Sequence, residues 1–486
     1  MSLERSLSMM SERRTVFLWV VPFLVASVCW TTPASAQDAT EEGPKEVQVA
    51  FDSLRVRTLD GLTVAEWLRP VLRQEDFELR ANNGYDEGNG FIRFWGDVVI
   101  SEKEDTIRAE QVRYQREDRI GEARGNVRMT DGEVTLLAPF GRFFSEQEVT
   151  VFEEGVTYED SAAVLTSDWA RYLSEDNRAE FAGNVSLAQE GMDLQADSVL
   201  HLRDSEESWA WGSIAADRTS LEDSTRTLIL ADSLYRAAQV DSIRVTGNAR
   251  LLQMDSAASD TLILEAGIIT VRPGESLSAQ DSVIVASAGY AVRADSLVSN
   301  EGPSQRTESQ LRGNPIAWVE DTQLVADQMD LSDSGRADTI RAMGNLFVAT
   351  PDSASGRVNQ LSGRRLLVVL DADSLRLLDI REQARAVLFM ESEEDGSTVG
   401  FNGSGDGLQF RFVEGALDQV SFYTGVEGTY YAGALLEQLT NLPGFIFTPE
   451  DRPGRQRLIA AFWMTWFDRT ARPQRQQVDP LCDDSC

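Results

Sequence analysis

The chain has 486 residues, with 45 basic against 79 acidic side chains and a formal charge of −34. That excess of carboxylates argues against a nucleic-acid partner, because a chain this acidic as a whole repels a run of phosphates. Lys45 and Lys103 are the only lysines, a balance that suits a surface kept hydrated and screened in concentrated salt.

At the N-terminus Arg13 and Arg14 precede an apolar run from Thr15 to Trp30, and Ala34-Ser35-Ala36 follows. This order predicts a secretory signal peptide over residues 1–36, with the mature chain starting at Gln37. The run is too short, and too soon followed by Pro33, for a good membrane span; a retained anchor is the alternative. Removing the segment takes three arginines and two glutamates, which leaves −35. It also removes Cys29, so that Cys482 and Cys486 remain as a possible disulfide in an oxidising compartment. A loop that short stabilises little of a fold.

Residues 37–90 read as an acidic linker and N-terminal cap. Leu62, Ala65, Trp67, Leu68 and Leu72 allow one short helix there, which Pro70 must bend or end. From residue 91 to 431 the texture is short apolar–polar alternation punctuated by Gly, Asp, Asn and Ser, the pattern of strands. Residues 432–486 form a tail with two apolar stretches, Leu435 to Phe447 and Leu458 to Phe467. Ten residues cannot cross a bilayer as a helix. The tail is expected either to cap the last repeat or to dock on a partner or a membrane surface.

The middle segment repeats. Gly183-Asn184-Val185-Ser186-Leu187 aligns with Gly125-Asn126-Val127-Arg128-Met129 and with copies at Gly96, Gly247, Gly313 and Gly344; degenerate copies bring the total to about eleven. The first copies, at Gly96, Gly125, Gly155, Gly183 and Gly212, recur at a nearly constant interval. A second motif, Ala-Asp, follows in fixed phase at Ala196-Asp197, Ala231-Asp232, Ala294-Asp295 and Ala326-Asp327. Val185 and Leu187 share a face by period two, as do Val127 with Met129 and Leu346 with Val348. A turn at Gln189-Glu190-Gly191 then returns the chain through Met192, Leu194 and Ala196. Each unit is thus a β-zigzag, with the Gly-Asn and Ala-Asp positions where a strand bends. One unit cannot bury its apolar face; a stack can, so the prediction is a one-dimensional all-β repeat with a continuous core.

Catalysis has little to work with. His201 is the only histidine and sits between Leu200 and Leu202 on a strand, while acidic pairs such as Asp204 and Glu206 read as solvated loops. No catalytic residue, metal site or cofactor is assigned. Asp371-Ala372-Asp373 lacks the Gly and closing Glu of a calcium loop.

The pattern Gly-Asn-Val-x-Leu, a turn, then x-Leu-x-Ala-Asp-x-Leu resembles the OstA-like family of lipopolysaccharide-transport proteins, which includes LptA and the N-terminal domain of LptD. The resemblance runs from about Gly96 to Tyr431. It implies an elongated β-jellyroll, two sheets in a V, with short helical segments near the termini. It also implies an apolar groove that takes acyl chains, lined by Val98 and Ile100, Val127 and Met129, Val185 and Leu187, Ala249 and Leu251, Ile316 and Trp318, Leu346 and Val348. A periplasmic protein follows, with lipopolysaccharide or another envelope lipid as cargo and other transport components at the inner and outer membranes as partners; association with the outer membrane stays open. Two alternatives remain, a structural or adhesive solenoid with a filled core and a membrane-docked assembly factor.

Overall fold

The computed structural model describes residues 48–471, apart from 60–61, 89, 190, 220–225, 241, 255–260, 273–274, 303–305, 334–337, 353–354, 372–373, 392–396 and 414–415. The signal-peptide segment and the Cys482–Cys486 pair lie outside the described residues.

The chain is one antiparallel ladder in which successive strands pair with their sequence neighbours. The strands from Phe91–Glu102 to Tyr290–Gly302 are long, from 10 residues in Thr135–Phe144 to 13 residues in Glu207–Thr219, about twice the usual length of a strand. Each is interrupted near its middle. In the strand Arg178–Gln189 the register against Met192–Leu202 breaks between Ala182 and Val185, and the same break recurs down the ladder. Phe181 before the break and Val185 after it are both buried in one core cluster. The ladder is therefore folded along a crease into two facing sheets, and every strand contributes half its length to each. We call the half before the Gly-Asn position sheet I and the half after it sheet II.

The crease explains why the two sequence motifs keep phase. Gly183 has φ +78°, and a Cβ there would stand 2.6 Å from a carboxylate oxygen of Asp168 on the neighbouring strand. Asn184, at φ +48°, donates its side-chain amide to Asp168 at 2.7 Å. The same clasp joins Asn126 to Glu110 at 2.7 Å, Asn248 to Asp232 at 2.8 Å and Asn345 to Asp327 at 2.9 Å. Gly-Asn on one strand and the acid of Ala-Asp on the strand before it are thus one device. Glycine supplies the left-handed backbone and the space, and asparagine, which also tolerates that backbone, supplies the bond.

At both ends the crease cuts strands in two. Leu62–Leu68 and Val71–Gln74 are two pieces of one such strand, so the helix expected over residues 62–72 does not form. Leu62–Leu68 pairs along its whole length with Ser53–Leu59, and cross-strand pairing overrides the weak helical spacing of its apolar residues. Pro70 lies at the crease next to Arg69, whose φ is +50°; a residue without an N–H is tolerated where the ladder is already interrupted. At the other end Ala416–Tyr423 and Glu427–Ala432 pair with the two halves of Thr398–Val413 in the same way, and between the ends Gly313-Asn314-Pro315 divides Arg306–Arg312 from Ile316–Val319.

Among the described residues the single α-helix is Arg455–Thr470. It belongs to a C-terminal strap that runs back along the outer face of sheet II, a different placement from a cap on the last repeat. Leu436 and Leu439 lie against Gly400. The amide of Leu442 donates to Gln360 at 2.9 Å and that of Thr448 to Gln323 at 2.8 Å. Arg455 donates to the Thr261 carbonyl at 3.1 Å, and Arg469 to the carbonyls of Ile214 and Ala231 at 2.7 and 2.6 Å. Beneath the strap lie two apolar clusters. One joins Leu228, Leu230, Leu252, Ile263 and Trp318 to Phe462 and Trp466; the other joins Phe347 and Val387 to Leu442.

Candidate lipid-binding interior

Between the two sheets one apolar cluster extends from Leu72 to Phe410. Ten of the twelve groove candidates belong to it. Val98, Ile100, Val127, Met129, Val185, Ala249, Leu251, Leu346 and Val348 are buried, and the partly buried Leu187 packs against them. Ile316 and Trp318 do not join them: both lie on the outer side, in the cluster beneath the helix. Elsewhere the inward residues stand two and four places after the glycine. In the unit at Gly313 those places are Pro315 and Ala317, and Ala317 does pack against the interior. Reading one place further on turned the pair to the opposite face, as any one-residue slip does.

The interior is packed rather than hollow. Phe77, Tyr114 and Phe143 stack with centroids 5.0 to 6.3 Å apart, and Tyr158 of sheet II meets Phe181 of sheet I edge-on at 5.4 Å. A concavity of about 450 Å³, open mouth included, reaches in toward Ile100, Ile107, Met129 and Phe143 between hairpin tips of the two sheets.

Those tips form a polar seam opposite the crease. Arg119 on sheet I donates to Glu75 at 2.9 Å and Glu102 at 3.2 Å on sheet II. Lys103 pairs with Glu148, and Ser174 donates to Asp105 at 2.5 Å. Farther along, Arg203 donates to Asp131 at 2.5 Å and Glu133 at 2.7 Å, and to the Tyr172 hydroxyl at 2.9 Å. Tyr114 closes the series from inside, donating to Gln74 at 2.8 Å. Apart from the bond between Arg203 and Tyr172, which are both on sheet I, each of these contacts joins the two sheets.

Burial sets the protonation behaviour of the seam. It pushes Glu102 and Asp105 above the usual carboxylate range and Tyr172 up to about 12. Burial acts on Asp131 in the same direction, but the amides of Val134 and Glu133 and the Arg203 guanidinium outweigh it and hold that carboxyl low. His201, half-buried on sheet I and 3.0 Å from the Ser208 hydroxyl, is held below its ordinary value by burial; it is neutral at pH 7.

Residues 50–197 match the model described as OstA-like protein, and residues 164–287 match that of the LptA/(LptD N-terminal domain) LPS transport protein. Residues 50–287 belong to the OstA-like family. No curated protein matches the chain at a significant level. The OstA-like match begins within the segment read from sequence as a linker and cap, in keeping with the strands found there. Beyond residue 287 the same OstA-like crease continues, with Gly313 against Asp295 and Gly344 against Asp327. Both matched families are transport domains. No described helix is long and apolar enough to cross a membrane, and no cluster of potential metal ligands occurs among the described residues.

The seam was not found by sequence reasoning. Its residues sit at turn tips, share no repeated identity and mostly pair across intervening strands. The one local hint is Asp131-Gly132-Glu133, a turn that places two carboxylates together.

Proposed function

We propose that this protein carries lipid in the periplasm, holding the acyl chains of lipopolysaccharide or a related envelope lipid between its two sheets and acting with other transport components at the inner and outer membranes. The observation that carries this reading is the single apolar cluster running from Leu72 to Phe410 inside an OstA-like fold. Strands lie about 4.8 Å apart in a sheet, so the ladder of sheet II spans on the order of 100 Å, enough to cover much of the distance between two membranes. Each methylene that enters gains roughly 0.8 kcal/mol without any headgroup contact. Side chains now fill the interior, so loading parts the sheets about the crease and opens the seam.

Photo-crosslinking residues at Met129 and Leu346, placed in cells, test this. Both are interior positions and they are far apart along the ladder; Ser186, on the outer side, is the control. Lipid adducts at both interior sites and none at the control are expected. A folded, exported protein without adducts at either interior site would leave the filled solenoid, the reading favoured by Val98 and Val127 at 1 % exposure.

A further inference from the structure

The helix Arg455–Thr470 is apolar on two sides. Leu458, Ile459, Phe462 and Trp466 face the sheet, and Phe462 is fully buried. On the far side Met464 is 75 % and Phe467 63 % exposed, and Phe467 stacks on Trp463 with centroids 5.6 Å apart. A helix that covers one surface is ordinarily polar on its other face. Packing within the chain explains the first apolar face and not the second.

Charge near the helix runs against the rest of the protein. Between Asp451 and Asp479 the sequence holds six arginines, at 452, 455, 457, 469, 472 and 475, and a single acid, Asp468, in a chain of net charge −34. Arg452 donates to the carbonyl of Glu320 and Arg455 to that of Thr261, while Arg457 is exposed. Surface charges separated by more than about 8 Å are screened from one another at physiological salt. Arg469 is turned onto sheet II, where it also meets Asp232, so a surface that comes to the helix meets Arg452, Arg455 and Arg457 and the exposed Phe467 ring, with Asp468 as the single acid of the helix.

We propose that the outer face of this helix docks on the surface of an anionic phospholipid bilayer. The helix is too short to cross the membrane and lies in its plane. Met464 and Phe467 enter the boundary between headgroups and acyl chains beside the half-buried Trp463, which also packs against the inner cluster, and Arg457 meets the lipid phosphates. The strap, anchored along sheet II, holds the ladder against that membrane. The inference is independent of the lipid-carrying interior; loss of interior adducts leaves it untouched.

Flotation of the purified protein with vesicles decides it. Wild type is expected to rise with phosphatidylcholine–phosphatidylglycerol vesicles, far less with pure phosphatidylcholine, and several-fold less in high salt. M464E/F467E is expected to stay at the bottom while keeping its circular-dichroism spectrum and melting temperature, since both side chains are exposed. R457E is expected to weaken binding to the anionic vesicles without altering the apolar face. Three results would overturn the proposal: wild type that fails to float with either vesicle, M464E/F467E that floats as wild type does, or equal binding to neutral vesicles. A dimer seen by light scattering and dissociated by M464E/F467E would assign the face to a second copy instead.

Discussion

The outer face of sheet II has two characters along one continuous ladder. Over the strands between Val98 and Ala196 it is mostly hydrophilic: Arg108, Arg128, Thr157, Thr166, Ser186 and Gln195 alternate with more deeply buried neighbours, and the half-buried Val99, Leu137 and Val164 and the exposed Ala188 are the apolar exceptions. From Ala215 to Val387 the outward positions include Ala215, Leu228, Leu230, Leu252, Ile263, Ala286, Ala291, Trp318, Phe347 and Val387, all buried under the strap, beside a row of Arg250, Glu265, Ile284 and Arg293 that is not buried. Crease, register breaks and inward residues are alike in the two regions. Only the outward half of the alternation changes. A sheet with one wet face alternates, and a sheet covered on both faces need not; Leu262-Ile263-Leu264 is therefore a record of the strap, written far ahead of the strap itself.

The largest effects should come from aspartate at positions that differ only in their cover. Val185→Asp, facing the interior, buries an unpaired carboxylate and is expected to cost several kcal/mol. Leu252→Asp, facing outward beneath the helix, should cost as much; a small loss in the unfolding midpoint at Leu252 would mean that the strap is not packed. Phe462→Ala should destabilise the strapped half by about 3–5 kcal/mol. Proteolysis within the helix ought to accelerate, while the strands before Ala196 keep their amide protection, because repeat ladders transmit stability mainly to neighbours.

At the seam, Arg203→Ala leaves Asp131 without its cation and should cost roughly 2–3 kcal/mol. The carboxyl of Asp131 is held low, so its contribution is present above the ordinary carboxyl range and is lost as pH falls through the folded value. Glu102 and Asp105 behave oppositely. Their folded values are raised, so the stability they lend is full below the ordinary range and lost as pH rises through the raised values. Melting curves against pH should therefore flatten on the acid side in Asp131→Asn. In Glu102→Gln with Asp105→Asn they should flatten above the ordinary carboxyl range.

A smaller loss, about 1–2 kcal/mol, is expected for Asn184→Ala, which gives up the amide donated to Asp168 and puts alanine in the left-handed region. The smallest belongs to Ser186→Asp on the bare outer face, roughly 0.5 kcal/mol or less. Equal losses at 185 and 186 would contradict the assignment of faces.

Much of this was legible because a crease makes demands on single residues. A left-handed turn under a neighbouring carboxylate requires glycine and then asparagine, and that demand recurs with every unit. Ten of the twelve groove candidates face the interior, where counting places after the glycine puts them. Ile316 and Trp318 were misplaced because Pro315 occupies the first inward place and carries no strand signature. Leu62 to Leu72 misled because its apolar residues fit a helical spacing, while the partner that makes it a strand, Ser53–Leu59, shows no matching motif. The seam stayed hidden because ion pairs between turn tips depend on which tips meet, and that is decided only once the ladder is folded.

The strap also imposes an order of events. A chain is synthesised with its amino end first, and domains and repeats can fold as they appear. Every strand from Ala215 to Val387 precedes Leu458 in the sequence, so the surface that the helix will cover exists before the helix does. Until the last stretch has been made, a growing ladder presents Leu228, Leu252 and Trp318 to water as a contiguous oily band, the kind of surface that draws proteins together. Premature stops between Ala432 and Leu458, which spare every strand of the ladder, should therefore be far more harmful in the cell than the loss of a tail suggests, yielding a ladder that is folded but adhesive.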